Sequence, residues 1–135
     1  MSGPKTILIV EDNLKNLKLC RDLLELRGHT ILEATDGEEG INLARLHKPD
    51  LIILDIQLPA LSGLEAVKVL RQWNETKDIP IIAFTAFAMK GDEERFLESG
   101  FTGYIPKPIN TRQFGQQVEE FFLKDAESAG DKDIS

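Results

Sequence analysis

The chain has 135 residues, 41% hydrophobic and 29% charged, which fits one water-soluble domain built around one core. Its formal charge of -7 argues against a broad phosphate-binding footprint, and so against nucleic acid as a direct partner. A single cysteine, Cys20, excludes an internal disulfide, and no membrane-length apolar run or signal-peptide core is present, which points to the cytoplasm without membrane insertion.

Strands alternate with helices along the chain. Residues 6–10, Thr-Ile-Leu-Ile-Val, read as a strand that runs into Glu11, Asp12 and Asn13. Asn13 is a helix N-cap, and the helix extends to about Arg27, with Gly28 as the C-terminal stop. Leu17, Cys20, Leu23 and Leu24 recur at helical spacing, so Cys20 reads as a small apolar core residue. A second strand covers residues 30–34. Asp36 with Glu39 then matches a capping pair for a second helix, which Pro49 closes.

Leu51-Ile52-Ile53-Leu54 is an uninterrupted aliphatic run that ends in one carboxylate, Asp55. Such a run fits a strand buried on both faces, as in a parallel sheet covered by helices. Ser62 and Glu65 cap a third helix carrying Leu64, Val67 and Leu70, and Trp73 near its end reads as packing. Residues 79–84 form the fourth strand, ending on Thr85 and Ala86. A helix starts at 91–95, where acidic residues suit the positive end of its dipole. The fifth strand, residues 102–105, leads into Pro106-Lys107-Pro108, and a last helix carries Phe114, Val118, Phe121 and Phe122. From about Asp125 the chain is too polar to pack, so residues 1–124 read as one domain and 125–135 as a disordered tail. His29 and His47 have no metal-ligand companions at useful spacing.

Five strands alternating with five helices imply an α/β fold, a doubly wound parallel sheet with helices on both faces. In open sheets of this kind the site lies at the carboxyl edge of the strands. The strand ends there are Glu11 and Asp12, Asp55, Thr85, and Lys107. Converging carboxylates repel unless a cation neutralises them, and Mg²⁺ is the hard, oxygen-preferring candidate. A carboxylate nucleophile, a divalent cation, a hydroxyl and a lysine are the equipment for phosphoryl transfer onto an aspartate.

Glu11-Asp12, Asp55, Thr85-Ala86 and Lys107-Pro108 together resemble the defining set of response-regulator receiver domains, over about residues 5–124. Residues 56–59 and 85–95 look most like DivK-type single-domain receivers. The resemblance implies the (βα)5 flavodoxin/CheY-like sheet with strand order 2-1-3-4-5. It implies Asp55 as phosphoacceptor, taking the phosphoryl group from a sensor histidine kinase or a histidine phosphotransfer protein. Asp12, Asp55 and the backbone carbonyl of Gln57 would ligate Mg²⁺, with Glu11 in place of the more common aspartate and in contact with the metal directly or through water. Lys107 would pair with Asp55 and then with a phosphoryl oxygen. Thr85 would bond another phosphoryl oxygen, and Tyr104 would be the switch aromatic. A cis Lys107-Pro108 bond is expected as well. Such a chain is not an enzyme beyond Mg²⁺-dependent self-phosphorylation and dephosphorylation, and it signals by phosphorylation-dependent binding of a downstream protein.

Three other readings compete. A receiver cut from a hybrid histidine kinase would carry the same residues. A pseudo-receiver scaffold would have lost Asp55, Lys107 or an acid, and none is missing. A haloacid-dehalogenase-type hydrolase would place a second acid two residues after the nucleophile, where this chain has Gln57.

Overall fold

The computed structural model describes residues 3–86 and 91–122. The β-branched and aliphatic runs form five parallel strands: β1 (Thr6–Val10), β2 (Thr30–Ala34), β3 (Leu51–Asp55), β4 (Ile81–Thr85) and β5 (Gly103–Pro106). Between them run α1 (Leu14–Glu25), α2 (Gly37–His47), α3 (Gly63–Gln72) and α4 (Asp92–Ser99), and residues 114–122 form α5. The strand order is β2-β1-β3-β4-β5, with β3 at the centre and β5 at an edge.

The period-two geometry of strands divides the core into two. Leu8, Val10, Ile52, Leu54, Ile81 and Ala83 face α2, α3 and α4, where Ile41, Ala44, Val67, Leu70 and Phe96 meet them. Their neighbours Ile7, Ile9, Leu51, Ile53, Ile82 and Phe84 face α1 and α5, against Leu17, Cys20, Leu24, Phe114 and Val118. Cys20 is buried among these side chains, and burial pushes its thiol up to about 12, so it packs as an apolar group. Trp73 also packs, with the Arg45 guanidinium 3.9 Å above its ring.

Local chemistry sets the helix starts as expected. Asn13, Asp36 and Ser62 each accept the N–H of the residue three positions on, at 3.0, 2.8 and 3.2 Å. Boundaries differ from the sequence reading at α1, β4 and β5, the last running over Gly103–Pro106 and not residues 102–105. α1 ends at Glu25, because Arg27 and Gly28 donate to the carbonyls of Leu24 and Glu25 in a tightened turn, and Gly28 takes φ 94°. β4 begins at Ile81, because the Ile79 N–H is spent in a turn on Thr76 and Pro80 has none to give. The Lys107-Pro108 bond is cis. Residues 87–90 and the polar tail lie outside the described residues.

Gly63, the first residue of α3, is held against the end of β3. A Cβ at this position would lie 2.3 Å from the Asp55 carbonyl oxygen and 2.7 Å from Ile56 Cα, both backbone atoms. Gly63→Ala is therefore expected to destabilise the fold by about 1–3 kcal/mol, as overpacking does when neighbours cannot yield. Urea unfolding checks this, and an unchanged midpoint would show that the β3–α3 loop is looser than its geometry implies.

Candidate functional site

Parallel strands deliver all their carboxyl ends to one edge, so β1, β3, β4 and β5 bring their last residues together. Glu11 follows β1, and its N–H donates to the Ala34 carbonyl at 3.0 Å. Its carboxylate is fully buried, while the next residue, Asp12, is exposed. Asp55 closes β3 and is 2% exposed. Thr85 closes β4, buried, and its carbonyl accepts the Lys107 N–H at 2.7 Å. That bond seats Lys107 just past Pro106, which lies on the edge strand where a missing N–H is tolerated.

Lys107 joins the strand ends. Its ammonium lies 2.7 Å from Glu11 Oε1 and 3.0 Å from Asp55 Oδ2, and 4.8 Å above the Phe84 ring. The Gln57 N–H donates to Asp55 Oδ1 at 2.9 Å, so both oxygens of the Asp55 carboxylate are oriented. Glu11 is held further by the Asn13 N–H on Oε2 and by the Asn16 side-chain amide on Oε1, each at 3.3 Å. Oxygens of Glu11, Asp12 and Asp55 all lie within 4.8 Å of one another. Beside them, Asn16, Leu19, Ala86, Lys107, Pro108 and Ile109 line a pocket of about 200 Å³.

The electrostatics report crowded negative charge. Burial foremost, and hydrogen bonding and repulsion with Asp55, push the Glu11 carboxyl up from 4.5 to about 7, although Lys107 pulls it the other way. For Lys107, burial acts to lower the ammonium, but its bonds to Glu11 and Asp55 outweigh that and raise it. Three clustered carboxylates facing one lysine fit a divalent cation: the donors are hard oxygens and Asp12 opens the cluster to solvent.

The residues singled out from the sequence thus fall into two groups. Glu11, Asp12, Asp55 and Lys107 meet at one point, with Thr85 and the Gln57 backbone beside them. Tyr104 stands apart, half-buried, with its ring 6.0 Å from that of Phe96 and facing a groove that Glu93, Leu97 and Phe121 also line. Asn16 escaped the sequence reading. It lies five positions after Glu11, and only the turn from β1 into α1 carries its amide back over the carboxylate.

Glu11 makes a signed pH prediction. Between about pH 4.5 and 7 the unfolded chain has released this proton while the folded chain still holds it. The contribution of Glu11 to folding therefore falls as pH rises through that window. In metal-free buffer, Glu11→Gln should remove this fall, read as urea midpoints across the window. Parallel curves for the two proteins would rule it out.

Comparison with known proteins agrees with this geometry. The response regulator receiver domain family matches residues 7–119. The chain is 50% identical over 118 residues to the polar-differentiation response regulator DivK of Brucella anthropi, covering 87% of this chain and 96% of that one. Among solved structures it is similar to the receiver domain of sensor histidine kinase PA1611 of Pseudomonas aeruginosa, at 30% identity and a TM-score of 0.80 over 88% and 98% of the two chains. That protein has a magnesium ion coordinated in its active-site cleft. The chemotaxis response regulator CheY4 of Vibrio cholerae matches at 25% identity with a TM-score of 0.83, over 88% of this chain and 99% of its own. With its family profile, its DivK relatives and a CheY-like sheet all in agreement, this chain belongs to the response regulator receiver domains of two-component signalling.

Proposed function

We propose that the chain accepts a phosphoryl group on Asp55 from the phosphohistidine of a sensor histidine kinase or histidine phosphotransfer protein. The observation that carries this reading is the Lys107 ammonium shared between Asp55 and Glu11, next to the exposed Asp12 at the carboxyl edge of the sheet. An Asp55 oxygen forms the new P–O bond as the donor's N–P bond breaks, and that bond's electron pair stays with the imidazole. Lys107 already sits on Asp55 Oδ2 and is placed to follow the charge onto a phosphoryl oxygen without a large movement. Asp12, Asp55 and the Gln57 carbonyl would hold Mg²⁺, with Glu11 beside them. Bound there, the ion would neutralise charge on the phosphoryl oxygens. Ala86 adds little bulk to the adjoining pocket, and exposed Leu19 on α1, which lines that pocket with Pro108 and Ile109, gives a donor protein an apolar surface to rest on.

The output belongs to Thr85 and Tyr104. Thr85 is buried at the end of β4, one strand from Asp55, and would turn its hydroxyl to the phosphoryl group. Tyr104 on β5 would carry that movement to the groove beside α4, where a downstream target protein reads it. The 50% identity to a DivK regulator over 96% of its length favours a stand-alone adaptor over the receiver of a hybrid kinase, for which the 30% match to PA1611 speaks more weakly. Self-phosphorylation from a small donor and hydrolysis of the acyl phosphate complete the proposed chemistry.

Incubation with Mg²⁺ and acetyl phosphate should add the mass of one phosphoryl group, and Asp55→Asn should show no such adduct. Saturating Mg²⁺ alone should raise the melting temperature by mass action on the folded state, and Asp12→Ala should abolish most of the rise. An unmodified wild-type mass, or a melting temperature indifferent to Mg²⁺, would refute this site.

Thr85→Ala separates acceptance from output. It should still take phosphate on Asp55, while its affinity for a partner depends less on that phosphate than in wild type. Equal partner affinity of phosphorylated and unphosphorylated wild type would leave a constitutive adaptor and no switch.

A further inference from the structure

We propose that Asn16 is a positioning residue for the cation site, its side-chain amide holding the Glu11 carboxylate in the orientation in which the acidic cluster takes up Mg²⁺. This rests on the reading of Glu11, Asp12 and Asp55 as that site. Glu11 has one methylene more than aspartate and therefore one more torsion to fix, although it is fully buried. Three donors fix it: Lys107 Nζ at 2.7 Å and Asn16 Nδ2 at 3.3 Å on Oε1, and the Asn13 N–H at 3.3 Å on Oε2. In the ionised form that takes up a cation the Glu11 carboxylate can only accept, so the amide nitrogen of Asn16 is the atom that faces it.

The three donors are not equivalent. Lys107 also serves Asp55, at 3.0 Å, and would serve a phosphoryl oxygen after transfer, so its hold on Glu11 is divided. Its positive charge also competes with a cation for the same oxygens. Asn16 supplies an N–H without a charge, so it can orient Glu11 while leaving the cluster's full negative charge to the metal. Its own place is fixed independently. The Asn16 N–H donates to Asn13 Oδ1 at 3.0 Å, which caps the first turn of α1 and holds residue 16 in it. One short segment therefore caps the helix and, through the same two asparagines, clamps both oxygens of Glu11. Partners that orient a metal-binding side chain are typically worth 10–100-fold in metal affinity.

The test is calorimetric titration of the full chain with MgCl₂, wild type against Asn16→Ala, combined with the side-chain amide resonances in ¹⁵N-labelled protein. Asn16→Ala should bind Mg²⁺ about 10-fold more weakly or worse. Its metal-free melting temperature should stay that of wild type, because the cap from Asn13 is made to the backbone N–H of residue 16, which alanine keeps. In wild type the Asn16 side-chain resonances, assigned by their absence from the variant, should shift with the same midpoint as the calorimetric binding. Equal Mg²⁺ affinity in the two proteins, or an Asn16 amide unmoved through saturation, would overturn the proposal. A metal-free melting temperature that drops in step with affinity would reduce Asn16 to a structural role and overturn it too. A wild-type chain that takes up no Mg²⁺ would instead overturn the cation site itself.

Discussion

The shared ammonium of Lys107 is the contact on which the rest of this molecule turns. Two buried carboxylates at one sheet edge would repel strongly in a medium of low dielectric, and neither Glu11 nor Asp55 has water enough to screen the other. A single lysine within 3.0 Å of both makes the arrangement tolerable. It does so incompletely, because the carboxyl of Glu11 remains displaced towards about 7. A site left short of positive charge in this way is matched to a further cation, and a carboxylate held 3.0 Å from a lysine suits the phosphoryl transfer proposed for Asp55.

That contact places demands on the whole sheet. Lys107 must come from an edge strand, Asp55 from the central strand and Glu11 from the strand on its other side. Right-handed parallel crossovers bring these three ends to one edge, and the hydrogen bond from the Lys107 N–H to the Thr85 carbonyl fixes where the lysine leaves β5. The aliphatic runs of β1, β3 and β4 supply the rigidity, since they are buried on both faces and cannot slip register without exposing a core. Gly63 is part of the same demand, because α3 must start in backbone contact with Asp55 and Ile56.

Charge is handled differently at the opposite edge. There Glu119 on α5 takes two bonds from Arg27, at 2.8 and 2.6 Å, and lies 2.9 Å from His29 Nε2. The Arg27 bonds, against some burial and with help from His29, hold that carboxyl down to about 2. His29 Nδ1 accepts the Lys5 N–H, which ties the start of β1 to the same cluster. Arg71 likewise binds the carbonyls of Lys77, Ile79 and Gly100 and so gathers the loops on either side of β4. In these places each acid or guanidinium is matched by its partners and the result is structural. At the carboxyl edge the mismatch is what leaves chemistry to be done.

The sequence by itself determined the alternation of strands and helices, the caps at Asn13, Asp36 and Ser62, and which strand ends carry Glu11, Asp12, Asp55, Thr85 and Lys107. Each of these is written in neighbouring residues, through hydrophobic period or through a side chain bonding its own turn. The strand order came with the family likeness, since local pattern does not say which parallel strands become neighbours. Only the tertiary structure decided that Lys107 lies nearer to Glu11 than to Asp55, that Asn16 reaches back to Glu11, and that Glu119 closes over His29 from 90 residues away. Those contacts depend on the separation and twist of elements remote in the chain, and distances of a few tenths of an ångström between charges have no signature in local sequence.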